Sequence, residues 1–178
     1  SSRKIERIVI FTVYRENWQP YMKKYTEVFQ SQFPNLNTEY LLLDTEQIDF
    51  NSYLDVDLII IGGGNTEKYI ATYVNQEFKN YIELMLKKGA KVIGFSAGAL
   101  LLGEKVYISP NDNSDHQIKI KNGLGLFNQF LISVHYDSWN DKANKDRAEK
   151  LVNVPIIPLN DHSCLILDKS GNIIEKID

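Results

Sequence analysis

Gly94-Phe95-Ser96-Ala97-Gly98 sets one hydroxyl between small residues. The residues before it, Lys91 to Phe95, read as a core strand, and Ala97-Gly98-Ala99 reads as the start of a small-residue helix. In that context a turn this tight excludes larger neighbours and lifts the serine above the end of the sheet. The helix start behind it offers unpaired N–H groups and a positive dipole end, the equipment for stabilising an oxyanion. The chemistry implied is acyl transfer by a serine nucleophile. The plainer alternative is a β–α turn in which Ser96 only caps the helix.

A serine nucleophile needs a base, and the base needs an orienting acid. Three histidines are present: His116, His135 and His162. His135 follows the apolar run 130–134 and His162 follows the run 156–159, so both are expected at carboxyl ends of strands, where open parallel sheets gather their ligand sites. His116 falls in a polar loop and is expected to be solvated. For the acid, Asp112 and Asp115 stand in the irregular segment after the serine turn, with Asp137 and Asp161 as rivals. Spacing alone does not choose among them. No pair of histidines has H-x-x-x-H spacing, which argues against a metal site, and no cofactor motif is present.

Gly62-Gly63-Gly64-Asn65-Thr66 forms a second small-residue turn between a strand and a helix. Glycines let a backbone approach a ligand closely. A dinucleotide fingerprint fails because its third glycine would fall on Glu67, so the loop is expected to serve a substrate or oxyanion, or to be a simple turn capped by Asn65 or Thr66. The lone Cys164 lies in an apolar strand pattern and is expected to be a buried, inert thiol; one cysteine also excludes an internal disulfide.

These residues need a scaffold, and the hydrophobic pattern supplies one. Strands are expected at 7–13, 39–43, 58–61, 91–95, 130–134 and 156–159, alternating with helices at 20–33, 66–74, 77–88 and 141–152. Residues 107–122 read as polar and irregular, with room for short strands. Residues 163–167 and 172–177 read as a terminal hairpin about Asp168-Lys169-Ser170-Gly171. Alternating strands and helices imply an α/β fold: a mostly parallel sheet with helices on both faces, plus a C-terminal β-hairpin.

The chain has 178 residues, 43% hydrophobic and 24% charged, which suits one globular domain spanning 1–178. Its formal charge of −3 speaks against nucleic acid as a partner. No apolar run nears the roughly 20 residues a membrane helix needs. Ser1-Ser2-Arg3-Lys4 leads into no secretory core, so a cytoplasmic location is expected.

The motif pair IIIGGGNT at 59–66 and IGFSAGALLLG at 93–103, followed by a strand ending in a histidine (SVHYD), resembles the dipeptidase E and cyanophycinase family of serine peptidases. The resemblance runs from Arg7 to Leu167. It implies a class I glutamine amidotransferase-like three-layer sandwich with a serine replacing the amidotransferase cysteine. Carried onto this chain, it makes Ser96 the nucleophile, His135 the base, Asp112 (in the Asn111-Asp112 pair) the acid, and Gly64 with Ala97 the oxyanion hole. Gly63 and Asn65 would line the substrate, a small peptide or amide. The family's opening strand has no counterpart before the strand 7–13. The arginine that reads an aspartate side chain in aspartyl dipeptidases falls on Asn144, and Arg147 matches a second substrate-binding arginine or, with the gap elsewhere, the first. The alternative from another class is a non-catalytic amidotransferase-like domain that binds a small ligand or a partner chain.

Overall fold

The computed structural model describes residues 5–33 and 35–178. The opening Ser1-Ser2-Arg3-Lys4 therefore lies outside the described residues. The first strand, β1 (Arg7–Thr12), is buried on both faces because its successive side chains point to opposite sides of the sheet. On one side Ile8 and Ile10 join Leu58 and Ile60 of β3 (Leu58–Ile61) beneath Met22 and Tyr25 of α1 (Trp18–Gln32). On the other, Val9 and Phe11 join Ile59 and Ile61 against Tyr69 and Tyr73 of α2 (Thr66–Tyr73) and Phe78, Ile82 and Met85 of α3 (Gln76–Lys87). Such continuous apolar strands are what a sheet covered twice requires.

With β2 (Asn37–Leu42) and β4 (Lys91–Gly94), these strands form a parallel sheet in the order β2-β1-β3-β4. The α/β fold, with a mostly parallel central sheet flanked by helices, is thus present as the pattern implied. Among the described residues, no helix is long and apolar enough to cross a membrane.

After β4 comes a single helical turn, α4 (Ala97–Leu100). The polar segment that left room for short strands holds an antiparallel pair, β5 (Lys105–Ile108) and β6 (Lys119–Asn122). Burial explains it: Val106 and Ile108 pack into the main core while Tyr107, between them, faces a smaller one. That smaller core holds Leu131 of β7 (Leu131–Ser133), Ala148 of α5 (Lys142–Val152) and Ile156 of β8 (Ile156–Pro158). β7 and β8 run parallel as a pair of their own, with Ile132 opposite Ile157. Among the described residues no ladder joins them to β4.

The chain closes with the antiparallel hairpin of β9 (Cys164–Leu167) and β10 (Ile173–Ile177). Leu165 and Leu167 pack against the main core. The alternation therefore turns Cys164 outward, and this thiol is exposed rather than buried.

Candidate active site

The ends of β3, β4, β7 and β8 meet at one edge of the molecule, and each brings one part of a site. Ser96 follows β4 directly. Its backbone sits at φ 49°, ψ −114°, a sparsely populated conformation for a residue with a side chain, which costs of order 1–3 kcal/mol. The flanking glycines hold it there for reasons of space. Neither has a positive φ, but a Cβ on Gly98 would lie 2.2 Å from the Ile61 carbonyl oxygen, and one on Gly94 would lie 2.5 Å from that of Gly98. The Gly98 N–H donates to the Gly62 and Phe95 carbonyls at 3.1 and 2.8 Å, which closes the turn onto the end of β3.

His135 comes two residues after β7, also at positive φ (54°). Its Nε2 lies 2.9 Å from Ser96 Oγ. Its carbonyl accepts from the Trp139 N–H at 2.9 Å and the Ser138 hydroxyl at 3.2 Å, and the indole ring packs on the imidazole at 4.6 Å between centroids. The loop is anchored at its far end by Asp141, which is fully buried. Asp141 accepts from Tyr107 (2.9 Å), Ser109 (2.5 Å), Ser133 (2.9 Å) and Asn144 (3.0 Å), so one carboxylate ties β5, β7 and α5 together. Four donors satisfy a buried charge that would otherwise be costly.

The group that meets His135 Nδ1 is the Asp161 carboxylate. The resemblance implied Asp112 at this place, and the contact is made by Asp161. β8 runs parallel beside β7, so the residues just past its end lie next to those just past the end of β7. That brings Asp161, not the segment after α4, to the imidazole. The bond to His135 holds the Asp161 carboxyl below the usual carboxylate range. Asp112 ends a short 3-10 turn (Pro110–Asp112), where it accepts from the Thr66 hydroxyl at 2.6 Å. Burial pushes its carboxyl up. Asp115 is exposed and pairs with Lys119 at 2.7 Å. The signal for Asp161 was in the sequence: like His135, it follows a core strand directly, and strand ends gather sites.

The glycine loop closes the other side of Ser96. A side chain on Gly63 would meet Ser96 Cβ at 3.0 Å. The Gly63 N–H is taken by the Tyr25 hydroxyl at 3.0 Å, and burial raises that phenol well above its ordinary range, so it stays neutral. The Gly64 and Ala97 N–H groups have no protein acceptor among the described residues. Asn65 caps α2, accepting from the Lys68 N–H at 2.8 Å.

The remaining candidates make no bond to Ser96 among the described residues. His116 is exposed, with Nδ1 3.1 Å from the Pro110 carbonyl, and His162 is exposed. Arg147 is exposed on α5 and donates to Asn144 at 2.6 Å; Asn144 in turn donates to Asp141. Both positions matched to the aspartate-reading arginines thus serve the Asp141 network.

The family model of peptidase family S51 matches residues 11–174. Among solved structures, a peptidase from an acI-B1 Actinobacterium superposes with a TM-score of 0.67, covering 89% of this chain and 68% of that one at 18% identity. A putative peptidase E protein from Listeria monocytogenes EGD-e gives 0.66, with 97% and 84% covered at 20% identity. At these identities the likeness concerns the fold. No curated protein matches the chain.

Proposed function

The chain belongs to peptidase family S51, and on that premise we propose that it is a serine hydrolase that cleaves a short peptide or amide bond through Ser96, His135 and Asp161. The carrying observation is the 2.9 Å contact between Ser96 Oγ and His135 Nε2, made by a serine held in a forced conformation. His135 Nε2 takes the hydroxyl proton as Ser96 Oγ attacks the carbonyl carbon. Asp161 holds the imidazole with Nε2 facing the serine and stabilises the imidazolium. The oxyanion is received by the Gly64 and Ala97 N–H groups. His135 then gives its proton to the leaving amine, and the C–N bond breaks to leave an ester on Ser96. Water, deprotonated by His135, releases the acid and restores the serine.

A fluorophosphonate should label the purified protein on the peptide carrying Ser96, read by mass spectrometry. An unlabelled Ser96 would instead favour a ligand-binding, non-catalytic domain. On the substrate side, Asn144 and Arg147 are engaged with Asp141 and with each other. N-terminal aspartate therefore finds no dedicated cation there, and Asp-Leu should be cleaved no faster than Ala-Leu in a panel of Xaa-Leu dipeptides. Strong selectivity for Asp-Leu, lost in Arg147→Ala, would reverse this view.

A further inference from the structure

We propose that Tyr69 is a positioning residue for the oxyanion hole: its hydroxyl fixes the plane of the Gly63–Gly64 peptide, the unit that carries the Gly64 N–H. This rests on the hydrolase reading above. Three glycines in a row give the loop no side chain with which to anchor itself, and a peptide plane between glycines turns over at little steric cost. The anchors come from neighbouring elements. The Gly62 N–H donates to the Phe11 carbonyl at 2.9 Å, and the Gly62 carbonyl accepts from the Gly98 N–H at 3.1 Å. The Gly63 N–H donates to the Tyr25 hydroxyl at 3.0 Å, and the Gly63 carbonyl accepts from the Tyr69 hydroxyl at 3.4 Å. Each polar backbone group of Gly62 and Gly63 is thereby held. The next one along, the Gly64 N–H, is the one without a protein acceptor among the described residues.

The Gly63 carbonyl and the Gly64 N–H belong to one planar trans unit, so they point in opposite directions. A donor that keeps the carbonyl turned into the core keeps the N–H turned out of it. Tyr69 is that donor. It is fully buried on α2 and lies along the loop: a Cβ on Gly62 would be 2.9 Å from its hydroxyl, and one on Gly64 would be 3.2 Å from its Cε2. The hydroxyl of Thr12, also buried, is 3.1 Å from that of Tyr69 and can donate to it, which leaves the phenolic proton for Gly63. Burial pushes the Tyr69 phenol up to about 12, so it is a neutral donor at neutral pH. At 3.4 Å the bond is long in the resting protein, and catalytic contacts of this kind tighten when the reacting complex forms. A donor on the carbonyl of an amide also polarises the N–H of that amide, which strengthens its grip on a developing oxyanion. Without the hydroxyl the peptide is free to turn over, and the negative end of the Gly63 carbonyl would then face the oxyanion.

The test compares alaninal with alaninol as competitors of fluorophosphonate labelling at Ser96. Ser96 Oγ adds to the carbonyl carbon of alaninal, its proton passing to His135, and the former carbonyl oxygen becomes an oxyanion; alaninol cannot react in this way. Removing an oxyanion donor outright costs about 10²- to 10³-fold, and a donor left in place but no longer fixed should cost less, about 10-fold. Tyr69→Phe, which keeps the ring, should therefore weaken alaninal by about 10-fold and leave alaninol nearly unchanged. The kcat for Ala-Leu should fall by the same factor with KM preserved. Thr12→Val should act in the same direction by a smaller factor, and it serves if Tyr69→Phe does not fold. A Tyr69→Phe protein with wild-type affinity for alaninal overturns the proposal. So does one that loses alaninal and alaninol to the same degree, since that marks a role in packing alone. Absence of any labelling at Ser96 in the wild-type protein would instead bring down the hydrolase reading on which the proposal stands.

Discussion

His135→Ala is expected to lower peptide hydrolysis by about 10⁶-fold in kcat, as is Ser96→Ala, with the double variant no worse than either alone. The two side chains act as one unit. Without the imidazole at 2.9 Å, the Ser96 proton has no acceptor in line, and the hydroxyl is a poor nucleophile at neutral pH. Without the hydroxyl, the imidazole has nothing to activate. What survives is the contribution of oxyanion donors and binding. Steady-state turnover of the three variants, with fluorophosphonate labelling of His135→Ala alongside, decides it. Losses that multiply in the double variant would mean that the serine and histidine work independently. His162→Ala should keep most of the turnover, because among the described residues it is His135 and not His162 that bonds Ser96; the reverse pattern would reassign the base.

Asp161→Asn is expected to cost less, about 10³-fold in kcat. An amide keeps the shape of the carboxylate but can present N–H to Nδ1, which favours the wrong tautomer and leaves the imidazolium without a counter-charge. In an enclosed triad that change costs about 10⁴-fold. Here the Asp161 side chain is 46% exposed, so water replaces part of what it supplies. The measurement is turnover set beside Asp112→Asn under the same conditions. A fully active Asp161→Asn enzyme would remove Asp161 from the mechanism.

The sheet and its helices were legible because their signals are local. Leu58-Ile59-Ile60-Ile61 can only be a strand buried twice, and the small residues about Ser96 announce a turn that admits no others. The pair of β5 and β6 is less legible because its buried run, Val106 to Ile108, is short and its partner strand, Lys119 to Asn122, is mostly polar. The carboxylate beside His135 stood only as a rival for a different reason. Which carboxylate meets an imidazole depends on which strand lies beside β7, a pairing across 26 positions of chain that no neighbouring residues encode. The Asn111-Asp112 pair drew attention by its motif, while Asp161 needed only the rule of strand ends applied once more. For Cys164, composition shows an apolar strand but not which of its faces is covered.

The separation of β7 and β8 from the four-stranded sheet places a seam through the middle of the reactive constellation. Ser96 belongs to one bank, His135 and Asp161 to the other, and side chains packed around α4, with backbone bonds such as that from the Glu104 N–H to the Phe127 carbonyl, bridge them in place of a continuous ladder. No continuous ladder fixes the register of the two banks, so the alignment of Ser96 with His135 rests on these contacts. A drift of one ångström would uncouple nucleophile from base and silence the molecule without unravelling it. A ligand gripping both banks would do the opposite, acting as a clasp that draws the working alignment out of a looser ensemble.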